Sequence, residues 1–435
     1  MRPPSRSRLA SALILLCFLL AYTIGPIPAE ASAGDCGSSS PRSGPGLLLG
    51  PDDPIIPPTT RVGALQDSAA DIPMAGEGRF SLSASGPGMR GLRPGDVLVG
   101  GPTSLAPDGY LLRVVSVSRR RGQVELQTRP ASLTEAIQQG AVELNCSLSG
   151  LPVRQAVELE GVGLQTTTPT IQAAGLEVRL DHVVLADADG DLNTTYDQVV
   201  ANGWVLLEPS LSLRLRIRDF EVREFSFISK TRETSDLQLI TSVDLVDYHV
   251  RQQIASYTFA PIVVWVGTVP LVFTPVLTVQ IGLDGTVTVG IATGVSQQTT
   301  LTAGATYFEG EWSPVSEVTH AASFSPPTLF ATARFVAYTG PQLSLLVYGV
   351  AGPYTQSQGY IELVADTLQV PWWQLFAGLR GQVGVRVEVF GHILASYEAT
   401  LFDETWLLAE ADGGFPASPT ETPQPTVEPI PGEGG

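Results

Sequence analysis

Apolar residues recur at every second position through the middle of the chain, over residues 271–307. The alternation is interrupted at Pro275 and resumes after the dipeptide Asp284-Gly285. A period of two over this length is typical of long β-strands with one face buried, so the region predicts extended strands around an apolar interior. The alternating positions are Leu271, Phe273, Leu277, Val279, Ile281, Val287, Val289, Ile291, Val295, Leu301, Ala303, Ala305 and Tyr307.

The dipeptide Asp284-Gly285 separates the two halves of this pattern and predicts a tight turn. A two-residue loop would set Ile281 opposite a threonine, whereas a three-residue loop that ends at Gly285 sets it opposite Val287. Only the second register puts the apolar side chains of both strands on one face. Glycine also adopts the left-handed conformation that such a loop requires. The sequence therefore predicts a central hairpin that turns here.

The opposite face of the predicted hairpin carries threonine and glycine, for example Thr288, Gly290, Thr302 and Thr306. Threonine suits a strand face that is exposed to water. One interpretation of this face is the solvated side of a sheet. The other interpretation is a smooth surface that contacts a partner.

Strand signals dominate residues 142–412, which are interpreted as a large antiparallel β domain. Apolar and polar residues alternate over 211–218, and residues 343–350 are apolar on both faces, as in a central strand. Many runs span about ten residues, which exceeds the usual strand length. A sheet of this size folds over as a sandwich or curls toward a barrel. A short helix is predicted only at 371–375.

Residues 91–141 predict a small module of β-hairpins and one helix. Residues 110–118 and 123–128 form two predicted strands around an arginine-rich turn. The sequence from Ser132 to Glu135 is a capping box, because serine and glutamate three residues apart can each bond the other's backbone N–H. A short helix is expected to follow and to run to about Gln139, with Gly140 ending it.

Both ends of the chain predict segments outside the folded part. Residues 1–31 combine Arg2, Arg6 and Arg8 with an apolar run and small-residue cleavage sites, which is the pattern of a secretory signal peptide. Residues 32–90 are interpreted as a Pro/Gly/Ser-rich linker, and 413–435 as a solvated Pro/Thr-rich tail. No later apolar run is long enough for a transmembrane helix. The sequence therefore predicts a secreted, extracellular or cell-surface protein.

The net charge of −18 opposes binding to nucleic acid and to anionic lipid. Lys230 is the only lysine among 25 basic residues, a bias typical of a high-GC bacterial genome, and lysine chemistry is restricted to this one residue. After removal of the signal peptide two cysteines remain, Cys36 and Cys146. In an oxidising compartment these two either form a disulfide or stay free.

The best candidate for site chemistry is the acidic segment 187–193, in which Asp187, Asp189 and Asp191 alternate around a glycine turn. Three carboxylates in this spacing can point at one hard cation, as they do in calcium loops. The segment departs from the twelve-residue calcium loop, because its sixth position is Leu192 and its twelfth is Gln198. Calcium is therefore the one cofactor hypothesis, and an acidic turn without an ion is the alternative.

Catalytic residues are not assigned from the sequence. The four histidines are widely spaced, and no nucleophile elbow, zinc motif, phosphate loop or dinucleotide fingerprint occurs. Trp372 and Trp373 are candidates for stacking on sugars, since adjacent side chains cannot both face inward on a strand, although most tryptophans are expected in the core. Enzymatic activity stays open, and a non-enzymatic protein is favoured.

A resemblance to other proteins rests on several stretches within residues 92–412. These stretches are LRPGDVLVGG, DGYLLRVVSVS, VELQTRPASLTEAI, DADGDLNTTYDQV, GWVLLEPSLSLRLRI, GTVPLVFTPVL and LLVYGVAGPY. Together they resemble an uncharacterised β-rich module of secreted, multidomain bacterial surface proteins. The resemblance implies the compartment and a β-rich fold, and it implies no activity or ligand.

One functional expectation and two alternatives follow. The first is a non-enzymatic, secreted or cell-surface β-rich protein of adhesion or surface structure, with a cell-surface protein or polysaccharide as partner. The second is a binding protein whose sheet curls around a lipid or other apolar ligand, with odd-numbered hairpin residues lining the cavity. The third is a polysaccharide hydrolase, which needs a cleft with two carboxylates beside Trp372 or Trp373.

Overall fold

The structure of the chain is a computed structural model. It describes residues 36–39, 53–65, 78–83, 90–120, 122–167, 175–187, 191, 193–194, 198–241, 245–287, 291–325, 333–350, 352–389 and 392–414. The predicted signal peptide lies outside these residues, and so does the predicted tail beyond Gly414. Among the described residues, no helix is long and apolar enough to cross a membrane.

The described chain consists almost entirely of β-strands, with one short helix, α1 (Leu133–Ala136). In chain order the strands are β1 (Cys36–Ser39), β2 (Thr60–Val62), β3 (Gly78–Ser83), β4 (Val97–Gly100), β5 (Tyr110–Arg120), β6 (Gln123–Pro130), β7 (Gly140–Ser147), β8 (Val153–Glu158), β9 (Val162–Thr167), β10 (Gly175–Asp187), β11 (Gln198–Arg218), β12 (Glu221–Thr241), β13 (Leu245–Phe259), β14 (Ile262–Val266), β15 (Val269–Val287), β16 (Ile291–Phe308), β17 (Glu311–Ser325), β18 (Ala333–Val347), β19 (Pro353–Ala365), β20 (Trp373–Val389) and β21 (His392–Glu410).

Two eight-stranded antiparallel sheets make up most of the described fold. The first sheet has the order β1-β7-β11-β12-β16-β17, and β10 followed by β9 lies beside the other half of β11. The second sheet has the order β21-β20-β19-β18-β15-β13-β8, with β14 also beside β15. The two sheets pack face to face as a sandwich, because buried residues of both belong to the same apolar clusters. The predicted mainly β fold with large antiparallel sheets is confirmed.

Side-chain alternation explains how the sandwich interior is filled. On β11 the side chains of Leu211, Leu213, Leu215 and Ile217 are buried, whereas the residues between them lie partly or fully exposed on the outer face. These four side chains pack against residues of the second sheet, such as Leu343, in one apolar cluster. The strand β18, which the sequence predicts as central, lies between β15 and β19. Burial of one face of each long strand is therefore what joins the two sheets.

The central hairpin predicted at Asp284-Gly285 is wrong. β15 runs through both residues to Val287, and it pairs with β13 on one side and β18 on the other. β16 belongs to the other sheet, between β12 and β17. The alternation itself is correct, because Leu277 and Ala303 are both buried. They reach the shared interior from opposite sheets and not from one hairpin.

Gly285 has a structural role other than the predicted loop. Its φ of 142° lies in the region that favours glycine, and it is opposite Tyr248 and Phe335 in the two neighbouring strands. The register of β13 against β15 shifts between Leu245 and Tyr248. A glycine inside a strand often marks such an irregularity. The dipeptide Asp284-Gly285 therefore marks an irregularity within a strand and not a turn.

The smaller sheet has the order β2-β4-β5-β6-β3 and contains the predicted hairpin β5–β6. The predicted capping box is present, since Ser132 Oγ accepts from the Glu135 backbone N–H at 3.2 Å and Glu135 Oε2 accepts from the Ser132 N–H at 2.9 Å. The helix ends at Ala136, earlier than predicted, and Gly140 begins β7. Extended backbone at Ile137 ends the helix after one turn.

Buried Asp108 attaches the smaller sheet to the second large sheet. Its Oδ1 accepts a hydrogen bond of 2.8 Å from Thr274 Oγ1 on β15. The same oxygen lies 2.8 Å from Arg154 Nη2 on β8. Val97 and Leu111 of the smaller sheet also belong to the apolar cluster that contains Leu271 and Phe273. The predicted module therefore shares its packing with the sandwich.

Part of the predicted linker forms ordered strands. β1, β2 and β3 all lie within residues 32–90, and the prediction of irregular structure is wrong for β1 and β2. β1 pairs with β7 so that Cys36 is directly opposite Cys146, and the two cysteines form a disulfide with 4.1 Å between their Cα atoms. Of the two alternatives for these cysteines, the structure contains the disulfide.

The helix predicted at 371–375 is also wrong. Residues 366–372 form a turn with a cis bond between Val370 and Pro371, and β20 begins at Trp373. The backbone N–H of Asp366 donates to the Trp372 carbonyl at 2.7 Å, and the Trp372 N–H donates to the Gly413 carbonyl at 3.2 Å. Proline and the aromatic pair favour a helix start locally, but backbone hydrogen bonds to residues 366 and 413 hold the segment as the entry to β20.

Candidate functional site

A row of polar side chains crosses the interior of the sandwich where apolar residues are expected. Glu233 on β12 is in register with Thr299 on β16, and Thr299 is in register with His320 on β17. Glu233 is 6% exposed and Thr299 is 3% exposed. We call Glu233, Thr299 and His320, together with the adjacent Ser235 and Gln297, the polar row. It is the most unusual chemical feature of the described core.

Glu233 holds an uncommon position for a carboxyl group. Its Oε1 accepts a hydrogen bond of 2.9 Å from Gln297 Nε2. Burial raises the pKa of the Glu233 carboxyl to about 7, and the hydrogen bond from Gln297 offsets part of that rise. A buried carboxylate without a cationic partner is costly. The group is therefore neutral at mildly acidic pH and ionises near neutrality.

His320 closes the row at the edge of the sandwich. Its ring stacks on Trp406 of the second sheet, with centroids 4.9 Å apart and an angle of 14° between the planes. A hydrogen bond of 3.0 Å joins His320 Nδ1 and Thr299 Oγ1. Burial lowers the pKa of His320. Its Nε2 and the Oγ of Ser235 are buried and have no hydrogen-bond partner among the described residues.

The polar row reaches the second sheet through the stacking of His320 on Trp406, and its spacing does not suit direct proton transfer. Neighbouring strands lie about 4.8 Å apart, so the Cα atoms of Glu233 and His320, two strands apart, are about 10 Å from each other. Nearby, Ser229 on β12 and Thr355 on β19 share a hydrogen bond of 2.7 Å between their hydroxyls across the interior. These contacts fix how one sheet sits on the other, since hydrogen bonds are directional where apolar packing is not.

The outer face of the first sheet carries a groove with a volume of about 640 Å³. It lies where β11 changes its neighbour: Leu207 pairs with β10, and Ser210 pairs with β7. Glu208 and Pro209, between these pairings, are in register with neither strand. Proline suits such a position because it has no N–H to leave unsatisfied. We call this opening the sheet-face groove.

Polar groups line the sheet-face groove. Serine and threonine hydroxyls and the Gln298 amide are joined by three charged side chains, Glu208, Lys230 and Arg232. The lining contains no Trp, Tyr or Phe among the described residues. Arg232 Nε lies 3.8 Å from Glu208 Oε2, which is a loose ion pair. The groove therefore offers hydrogen bonds and charge to a ligand, and little apolar surface.

The predicted calcium segment is described only in part. Asp187 ends β10, and its Oδ2 accepts a hydrogen bond of 2.9 Å from Gln198 Nε2. Asp191 Oδ1 accepts from Asn193 Nδ2 at 2.8 Å and from its backbone N–H at 3.1 Å, and these two bonds lower the pKa of Asp191. Asp189 lies outside the described residues. The calcium hypothesis stays a prediction.

Other sequence candidates are distributed over the fold. Trp372 and Trp373 are both half-buried and pack against the main apolar cluster. His249 Nδ1 lies 3.0 Å from Asp284 Oδ1 on the exposed surface of the second sheet. Within the described ranges, no three His, Cys, Asp or Glu side chains form a group that could hold a metal ion. The structure therefore brings none of these candidates together.

Sequence reasoning missed the polar row for an identifiable reason. On β12 the inward positions between Phe227 and Leu237 are Ser229, Thr231, Glu233 and Ser235, and the outward positions from Lys230 to Asp236 are also polar. Where both faces of a strand are polar, the period of two leaves no signal in the sequence. Only the pairing of β12 with β16 identifies which side faces inward.

Comparisons with protein-family models, with curated proteins and with solved structures found no match to this chain. The resemblance to a module of bacterial surface proteins therefore stays a prediction. The features that bear on function are a filled sandwich, a polar row inside it and a polar groove on its outer face.

Proposed function

We propose that this chain is a secreted or cell-surface protein of adhesion or surface structure, which presents a rigid β-sandwich outside a bacterial cell. The observation that carries the proposal is the disulfide between Cys36 and Cys146. It lies close after the predicted signal peptide and ties the first described strand to β7. Disulfides of this kind persist in oxidising compartments and are rare in the cytosol.

The size and packing of the sandwich support a structural role. β11 and β12 are each 21 residues long and are paired along almost their full length. Strands of this length span far more than the usual five or six residues. A long, doubly layered and cross-linked body is a suitable spacer or display surface. Its outer face carries the sheet-face groove, which gives it a surface for a partner.

The packing gives less support to the apolar-ligand alternative. The residues expected to line a cavity, such as Leu277 and Val279, are 1% and 0% exposed and belong to a cluster with first-sheet residues Val178 and Leu207. Side chains of the facing sheet thus occupy the space that a lipid would need. The hydrolase alternative needs two carboxylates in a cleft, and the groove carries one, Glu208.

The proposal is tested by isolating the protein from culture of its host. We expect it in the medium or the cell-surface fraction, without residues 1–31, and we expect the purified protein to bind to intact host cells. Native mass spectrometry of the same sample is the second readout. A retained lipid would favour the apolar-ligand alternative. Recovery from the cytoplasm with residues 1–31 intact would contradict the proposal.

A further inference from the structure

The sheet-face groove has one charged group without a partner. Among the described residues, none forms an ion pair or a side-chain hydrogen bond with the ammonium group of Lys230, which is exposed. The nearby arginine Arg214 is different, because Glu143 and Glu224 lie 3.4 and 3.6 Å from its guanidinium nitrogens. Arg232 is offset by Glu208. Lys230 is therefore the uncompensated positive charge of the groove.

The rest of the lining suits a ligand rich in hydroxyl groups. Hydroxyls of Ser147, Ser210, Thr300 and Thr319 and the amide of Gln298 surround the charged side chains. These groups both donate and accept hydrogen bonds, as sugar hydroxyls do. The described lining has no Trp, Tyr or Phe, and the ring of its His320 stacks on Trp406. Affinity for a neutral sugar would therefore have to come from hydrogen bonds that replace water at little net gain. A charge on the ligand supplies the binding free energy that aromatic stacking does not provide in this groove.

We propose that the sheet-face groove binds an anionic polysaccharide whose sugar units carry carboxylates, with Lys230 as the residue that recognises the carboxylate. The inference rests on the proposed function and names the ligand class of its surface. The hydroxyl and amide groups contact the sugar hydroxyls, and the Glu208–Arg232 pair borders the site. The volume of about 640 Å³ is that of a small-ligand site, about 300–1,000 Å³, so the groove holds a short stretch of the polymer.

The net charge of −18 opposes this binding at long range but does not dominate it. At physiological ionic strength the screening length is about 8 Å, so distant carboxylates contribute little at the groove. The acidic residue in the same cross-strand row is Glu317, reached from Lys230 through Thr302. Two strand spacings separate Glu317 from Lys230, about 10 Å between Cα atoms. Glu317 therefore lies beyond one screening length from Lys230, and the carboxylate that lines the groove, Glu208, is offset by Arg232.

The test is isothermal titration calorimetry of the full secreted chain with three probes: an oligogalacturonate, neutral dextran and a poly(glycerol phosphate). We expect the oligogalacturonate to bind and its affinity to fall as salt is raised. Neutral dextran is expected to give no heat. Binding of dextran as tight as that of oligogalacturonate would overturn the inference, and so would a clear preference for the phosphate polymer.

Variants of the same chain locate the site. Lys230→Gln is expected to weaken oligogalacturonate binding by about fivefold, the effect of one exposed charge pair, whereas Lys230→Arg keeps most of the affinity. The control is Arg334→Gln, which removes one exposed positive charge from the second sheet. All three variants should melt at the wild-type temperature. Equal weakening by Lys230→Gln and Arg334→Gln would overturn the inference, because it would indicate a general charge effect.

The outcome can be separated from that of the proposed function. If Lys230→Gln loses oligogalacturonate but still binds to host cells, the groove has its ligand and adhesion uses another surface. If wild-type protein binds to host cells and no oligogalacturonate binds, the inference fails and the proposed function stands. If the protein is cytoplasmic and binds neither cells nor oligogalacturonate, both fail.

Discussion

The amide of Gln297 donates a hydrogen bond of 2.9 Å to the carboxyl group of Glu233, inside a sandwich whose interior is mostly filled by apolar side chains. The two residues lie on neighbouring strands, β12 and β16, and both point toward the second sheet. Gly359 of that sheet leaves room for the amide, since a Cβ there would come within 3.0 Å of Gln297 Nε2. The pair makes the stability of the core dependent on pH.

Glu233→Gln is expected to remove a pH-dependent loss of stability. Burial raises the pKa of the carboxyl from 4.5 to about 7, so the folded protein keeps a proton that the unfolded chain releases. The protonated Glu233 carboxyl contributes its full amount to the free energy of unfolding below pH 4.5. This contribution is lost as the pH rises to about 7. A shift of this size corresponds to about 3 kcal/mol. The amide cannot ionise, so the variant should be the more stable protein above pH 7.

The measurement is urea unfolding of both proteins between about pH 5 and 8, which covers most of the range in which the Glu233 carboxyl titrates. His320 acts in the opposite direction, since its lowered pKa makes protonation destabilising as pH falls, but it is present in both proteins and cancels in the difference. Glu317→Gln, on the exposed side of β17, is the control and should follow the wild type. Parallel curves for wild type and Glu233→Gln would refute the prediction.

Loss of the disulfide is expected to destabilise the fold. The bond between Cys36 and Cys146 closes a loop with a sequence separation of 110 residues. In the chain-entropy treatment, opening a loop of this length costs about 5 kcal/mol of stability, because the unfolded chain gains conformational freedom. The double variant Cys36→Ser/Cys146→Ser should therefore melt at a lower temperature than the wild type in calorimetry. The matched control is the wild type in reductant, which should melt at the same temperature as the variant. A variant as stable as the oxidised wild type would contradict the prediction.

Truncation of two leucines distinguishes the core from the surface. Leu277 is 1% exposed within the main cluster, whereas Leu368 is 92% exposed in the turn before β20. Leu277→Ala should lower the free energy of unfolding by about 3 kcal/mol, because it leaves a cavity between the sheets. Leu368→Ala should change it by less than about 0.5 kcal/mol. Denaturant unfolding compares them, and similar losses at both sites would show that the assigned interior is incorrect.

Calcium binding at the segment 187–193 is expected to raise the melting temperature, since a ligand that binds only the folded state stabilises it by mass action. The comparison is a thermal melt in excess calcium and in chelator. Asp187→Asn/Asp191→Asn should abolish the difference, because it removes two of the three proposed carboxylates. Asp236→Asn, an exposed aspartate on β12, is the control and should retain it. Identical melting temperatures of the wild type in both buffers would remove the metal hypothesis.

Features within one element were predictable from the chain. The capping box at Ser132 and Glu135 was readable because both partners are three residues apart. The buried side of β11 was readable because a strand alternates whatever its neighbours are. The bulge at Asp284-Gly285 and the strand entry at 371–375 were not predictable from the chain. The same short sequences also occur in turns and helix starts, and distant pairing partners decide between these structures.

The period of two and local propensity are enough to predict that alternate side chains along the strands are buried and that the chain is mainly β. Only the folded chain shows that Leu277 and Ala303 are buried from opposite sheets, and that Glu233 lies inside while Lys230 lies outside. The physical reason is that strand pairing is a long-range interaction. Its register depends on hydrogen bonds to residues far along the chain, and no local pattern encodes that partner.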